Sequence, residues 1–119
     1  MAKYNSIHEF IDGLSVEQSK YYYLTKELIQ VAHPDVCEML FVNQPYFYLI
    51  ENNHLKPHHR PCIMLAFFND HMNILATANE KYLDKLSQYK VTPKHMLQIY
   101  FHQPMQREVL VALFKESLL

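Results

Sequence analysis

The sequence predicts an α+β fold: a mainly antiparallel five-stranded sheet with helices packed on one face. Two observations carry this. Between Cys62 and Ala76, two apolar runs flank a polar pair, Asn69-Asp70, whose residue types tolerate positive φ and suit a tight β-hairpin. With Phe68 facing His71, the residues Ile63, Leu65, Phe67, Met72, Ile74 and Ala76 share one wholly apolar face. Cys62, Met64, Ala66, Phe68, His71, Asn73 and Leu75 share the other, which is mixed, as in a sheet buried on one side. The second observation is order. Strand patterns cluster in mid-chain, with helical patterns before and after.

Ser6 to Glu9 forms a capping box, predicting a short helix to Asp12-Gly13. Ser15 to Gln18 forms another, opening a helix to about His33, where Pro34 stops it. Tyr21, Leu24, Leu28 and Val31 make its apolar stripe. Val36 to Val42 reads as a strand, Asn43-Gln44-Pro45 as a break, and Tyr46 to Ile50 as the next strand. Glu51 to Arg60 is a polar loop. After the hairpin, Thr77 to Glu80 forms a third capping box, opening a helix that ends near Tyr89. Met96 to Phe101 is the fifth strand. Pro104 suits the first turn of a last helix carrying Val109, Leu110, Leu113 and Leu118. The order is ααββββαβα, in a single domain over residues 1–119.

The 119 residues suit one core. Eleven basic residues against twelve acidic ones favour neither nucleic acid nor an anionic membrane as partner. No apolar run approaches a membrane span, and Met1 to Asn5 leads straight into a helix start, without a signal peptide. Cys37 and Cys62 each sit in an apolar run, predicting reduced, buried thiols and a cytoplasmic location. The only glycine is Gly13, which excludes glycine-rich phosphate loops and a nucleophile elbow.

Strand parity selects the candidate site. With the apolar sets facing the helices, the open face collects Tyr46, Tyr48, Phe68, His71, Asn73, Gln98 and Tyr100. Aromatic walls with a few polar groups suit a small ligand or a second subunit, such as a homodimer partner. A plain solvated sheet face has a similar composition. His54, His58 and His59 share one loop, but their spacing and the adjacent Lys56 and Arg60 disfavour a metal, so the loop is expected to be solvated and the histidines exposed and apart. Asp70 and His71 are adjacent and are expected to point apart, leaving no acid, base and nucleophile set and no enzyme.

Several segments resemble the YdhG-like family of small bacterial proteins of unknown function. They are Ile7 to Leu14, Asn43 to Tyr48, Leu65 to Ile74, and Tyr89 onward through the last strand and Pro104. Their order and spacing match over nearly the whole chain. The resemblance implies a frataxin-like fold and an iron-chaperone role. Hard iron would prefer oxygen ligands, with Glu9, Asp12 and Glu17 as candidates. The chain departs from the family pattern where Asn43 and Asn73 replace glycines, His95 replaces the glycine after Lys94, and Gln98 replaces a basic residue. Asn43 and Asn73 are expected to hold left-handed turns.

Overall fold

Alternation around Asn69-Asp70 produces the register it predicts. In the computed structural model, which describes residues 4–119, β3 (Ile63–Phe67) and β4 (His71–Ala76) pair antiparallel, with Phe67 opposite Met72. Ile63, Leu65 and Ile74 are fully buried. The sheet is completed by β1 (Cys37–Phe41), β2 (Gln44–Tyr48), β5 (Lys90–Val91) and β6 (Leu97–Tyr100). The order is β1-β2-β3-β4-β6-β5, with every pair antiparallel. Six strands stand where the sequence predicts five. Lys90–Val91 is too short to show alternation and becomes a strand because β6 offers it an edge.

The helices are α1 (Ile7–Asp12), α2 (Val16–Ala32) and α3 (Arg107–Ser117). Phe47, Leu65, Met72, Ile74, Leu97 and Ile99 from the sheet meet Ile29, Leu110, Leu113 and Phe114 in one core. Each such side chain contributes roughly 1.5–3 kcal/mol by leaving water. The Ser15 and Gln18 capping box forms in full. The Ser6 box forms by half: Ser6 Oγ accepts from Glu9 N, but Glu9 Oε2 returns to Asn5 N at 2.7 Å. The buried face of α2 is Tyr21, Tyr22, Thr25, Leu28 and Ile29, so Leu24 and Val31 of the predicted stripe are exposed. Thr25 tolerates burial because its hydroxyl donates to Tyr21 O at 2.7 Å.

The turns differ from prediction. Left-handed backbone occurs at Val42 (φ 46°), Asn43 (φ 62°) and His95 (φ 63°), and not at Asn69, Asp70 or Asn73. Val42-Asn43 is thus the two-residue turn with positive φ at both positions, joining Phe41 to Gln44. The Asn69-Asp70 turn is held from outside instead. Gln18 Nε2 donates to Phe68 O at 2.9 Å and Phe101 N to Asp70 O at 3.0 Å. Asn73 lies inside β4, paired with Ala66. Gln44 and Pro45 belong to β2 rather than to a break. Pro45 pairs with Leu40, one pair beyond the turn, and the ladder to β3 starts at Tyr46, so its missing N–H is not needed.

Residues Asn79–Leu86 form a 3-10 helix, not an α-helix, and Thr77 caps nothing there. Its hydroxyl accepts from Cys62 N and donates to Cys62 O instead. Pro104 lies before α3, whose first residue is Arg107. Cys37 and Cys62 are free and half-buried rather than buried. Among the described residues, no helix is long and apolar enough to cross a membrane.

Candidate functional site

Tyr46, Tyr48, Phe68, His71, Asn73, Gln98 and Tyr100 all have the parity opposite to the core set. Asn73 pairs with Gln98 and His71 with Tyr100, while Tyr46 lies opposite Met64. They do not form one continuous surface. Tyr46 is fully buried, because the segment from Leu49 to Cys62 folds back over the β1–β2 half of the face. The Tyr46 hydroxyl donates to Pro57 O at 2.7 Å and accepts from Arg60 Nε at 3.0 Å. His58 packs edge-on against Phe41, and Phe41 against Tyr46. The predicted solvated loop is therefore a cover over half the sheet. Its three histidines are exposed.

Arg60 is the center of this cover. It is 7% exposed. Its guanidinium lies 3.8 Å from the Tyr48 ring centroid and 5.1 Å from that of Tyr46. Its hydrogen bonds go to neutral acceptors: Tyr46 Oη, Asn53 Oδ1 at 3.4 Å and Met39 Sδ at 3.3 Å. Among the described residues, no carboxylate lies within ion-pair distance of it; the ion pairs are Lys26–Glu38 and His71–Asp70. A cation removed from water without a counter-charge is costly to keep.

Beside Arg60 opens a cavity of about 460 Å3. The basic and imidazole residues of its lining are Arg60, Lys94, His58, His59 and His95, against one acidic residue, Glu80. Pro61, Leu75 and Ala76 supply apolar wall, and Cys62 lies in the lining. Burial pushes the Cys62 thiol up from its ordinary value. Asn79 positions the far rim: its Nδ2 donates to Ile74 O at 3.0 Å and to His95 O at 2.8 Å. His95, at the cavity edge, is left-handed, with φ 63°. A smaller depression of about 180 Å3, lined by Gln44, Met64, Ala66, Phe68, Asn73 and Met96, shares Leu75 with the cavity. Asn73 Oδ1 is buried there without a hydrogen-bond partner among the described residues.

The β4–β6 end of the face carries an aromatic ladder. Phe68 stacks on His71 at 4.6 Å, His71 lies 4.9 Å from Tyr100, and Tyr100 lies 6.2 Å from His102. Asp70 and His71 do touch, with Oδ1 and Nδ1 2.7 Å apart. Asp70 sits in the turn rather than in the strand, so strand alternation does not separate the pair. The His71 hydrogen bond holds the Asp70 carboxyl below its ordinary value.

The oxygen ligands proposed for iron are not assembled. Glu9 Oε2 is used by Asn5 N, Asp12 is exposed, and Glu17 borders a depression with Asn69, Asp70 and His102. Among the described residues, no three His, Cys, Asp or Glu side chains come together in a way that could hold a metal ion. Arg60, Cys62, Lys94, His95 and Asn79 were not predicted as site residues. The signal for them in the sequence is Arg60 itself, a cation placed just before an apolar strand.

No protein-family profile matches the chain, and no curated protein matches it. Among solved structures, it is similar to the crystal structure of YdhG from Bacillus subtilis, a protein of the DUF1801 family, with a TM-score of 0.70 and 16% sequence identity. The match covers 92% of this chain and 84% of that one. The two proteins share a fold.

Proposed function

We propose that this protein is a non-enzymatic, cytoplasmic binding domain of the YdhG-like family, and that it holds a small ligand in the cavity beside Arg60. The fold likeness and the order of the resembling segments support the family. The observation that carries the ligand reading is a buried arginine, without a carboxylate partner among the described residues, bordering a cavity of small-molecule size. Amide NMR with a mixture of small anionic and neutral aromatic fragments tests it. Shifts are expected to cluster on His58 to Cys62, Leu75 to Thr77, and Lys94-His95. Shifts confined to other surfaces would remove the reading.

Two other readings have distinct tests. An iron-chaperone role is what the family resemblance implies, and iron titration of the wild type against the triple alanine variant of Glu9, Asp12 and Glu17 measures it. Pairing of two copies is favored by one observation, the exposed Phe68 stacked on His71. Sedimentation of His71→Ala beside the wild type measures that.

A further inference from the structure

The structure assigns the Arg60 cavity to a small organic oxyanion, a carboxylate or phosphate carried on a short apolar body. This rests on the ligand-binding reading above and names its chemistry. A guanidinium has five N–H donors in a planar fork. Three of Arg60's are directed to Tyr46 Oη, Asn53 Oδ1 and Met39 Sδ, which leaves one on each terminal nitrogen. Two N–H groups on adjacent nitrogens match the two oxygens of a carboxylate or phosphate. The tyrosine rings stabilise the cation from their faces but do not neutralise it.

The rest of the lining agrees with this assignment. Lys94 brings a second cation from the opposite rim, and His58, His59 and His95 bring imidazole N–H donors. Glu80 is the one carboxylate among the lining residues, and it makes no ion pair with Lys94 in this structure. A fully polar ligand would leave Pro61, Leu75 and Ala76 unused. An apolar body against those three, with its anionic group at Arg60, uses both halves of the lining. The same combination disfavors a bare metal cation, which Arg60 and Lys94 repel.

Cys62 lies in the cavity lining and supplies the readout. Alkylation of Cys62 by iodoacetamide is followed by peptide mass spectrometry, with Cys37, which is not in the lining, as the internal control. The probes are benzoate, phenyl phosphate and neutral benzamide, each tested on the full chain. Amide shifts of His59, Lys94 and His95 are read in the same titrations, so slow basal alkylation does not hide binding. The expected result is saturable protection of Cys62, but not Cys37, by benzoate or phenyl phosphate, with benzamide inactive. Which of the two anions binds more tightly separates carboxylate from phosphate. Arg60→Met is expected to weaken the better anion by about a hundredfold. Lys94→Gln, at an exposed position, is expected to weaken it about threefold and serves should Arg60→Met not fold. Equal binding of benzamide, or unchanged anion binding in both variants, would overturn the oxyanion assignment and leave the ligand site standing. No response to any probe would overturn both.

Discussion

Replacing Arg60 by methionine removes a charge while keeping most of the side-chain volume, so it separates what Arg60 does for the fold from what it does for a ligand. The losses are the aromatic contacts to Tyr48 and Tyr46, about 1–2 kcal/mol each when desolvated. The hydrogen bond to Tyr46 Oη adds about 1 kcal/mol. Tyr46 is not orphaned, because its hydroxyl still donates to Pro57 O. Against these stands relief of the burial penalty of an uncompensated cation, several kcal/mol in magnitude. The terms nearly cancel, and Arg60→Met is expected to change stability by no more than about 1 kcal/mol, or about 4 °C in Tm. Arg60→Ala also deletes the aliphatic stem and leaves a void, so it should cost about 2–3 kcal/mol. Urea denaturation followed by far-UV circular dichroism is the assay, since the chain has no tryptophan. A loss of more than about 3 kcal/mol in Arg60→Met would refute the reasoning, because it would show that the cation itself holds the cover in place.

Val42 is β-branched, exposed and left-handed, so Val42→Asn should gain about 1 kcal/mol in the same assay; a loss would mean the turn does not have this conformation. In an NMR titration, the Asp70 carboxyl should titrate below its ordinary value in the wild type and return toward it in His71→Ala. Because its folded pKa is depressed, the stabilisation is present above the unfolded value and lost as pH falls through the folded one. The effect on stability should be small, since Asp70 is exposed. Tyr22 donates to Glu38, which also pairs with Lys26 at 3.0 Å, so Tyr22→Phe should cost about 1–2 kcal/mol. Burial, with Glu38 beside it, raises the Tyr22 hydroxyl, and an ultraviolet titration should find it still protonated after exposed tyrosines ionise.

Strand parity was legible because β3 and β4 bury Ile63, Leu65, Met72, Ile74 and Ala76 on one face, and a one-residue slip would expose Ile63, Leu65 and Ile74 together. The buried face of α2 was legible only in part. Counting aliphatic residues selects Leu24 and Val31, whereas Tyr22 and Thr25 enter the core once their hydroxyls find Glu38 and Tyr21 O. Local signals misled where a distant partner took the group involved. Thr77 reads as a cap, but its hydroxyl is held by Cys62, a neighbor only across the sheet. The candidate face was legible as a set of residues but not as a site. Nothing in the order of residues shows that the segment carrying Pro57 and Arg60 folds onto Tyr46 and Tyr48, or that Asn79 ties Lys94 and His95 to the opposite rim.

Side-chain NMR of the Arg60 guanidinium during a phenyl phosphate titration tests the oxyanion site most directly. The Arg60 N–H signals are expected to shift saturably, together with the amides of Lys94 and His95, and to stay in place when benzamide is added. Arg60 signals that do not move while phenyl phosphate shifts residues elsewhere on the molecule would contradict it.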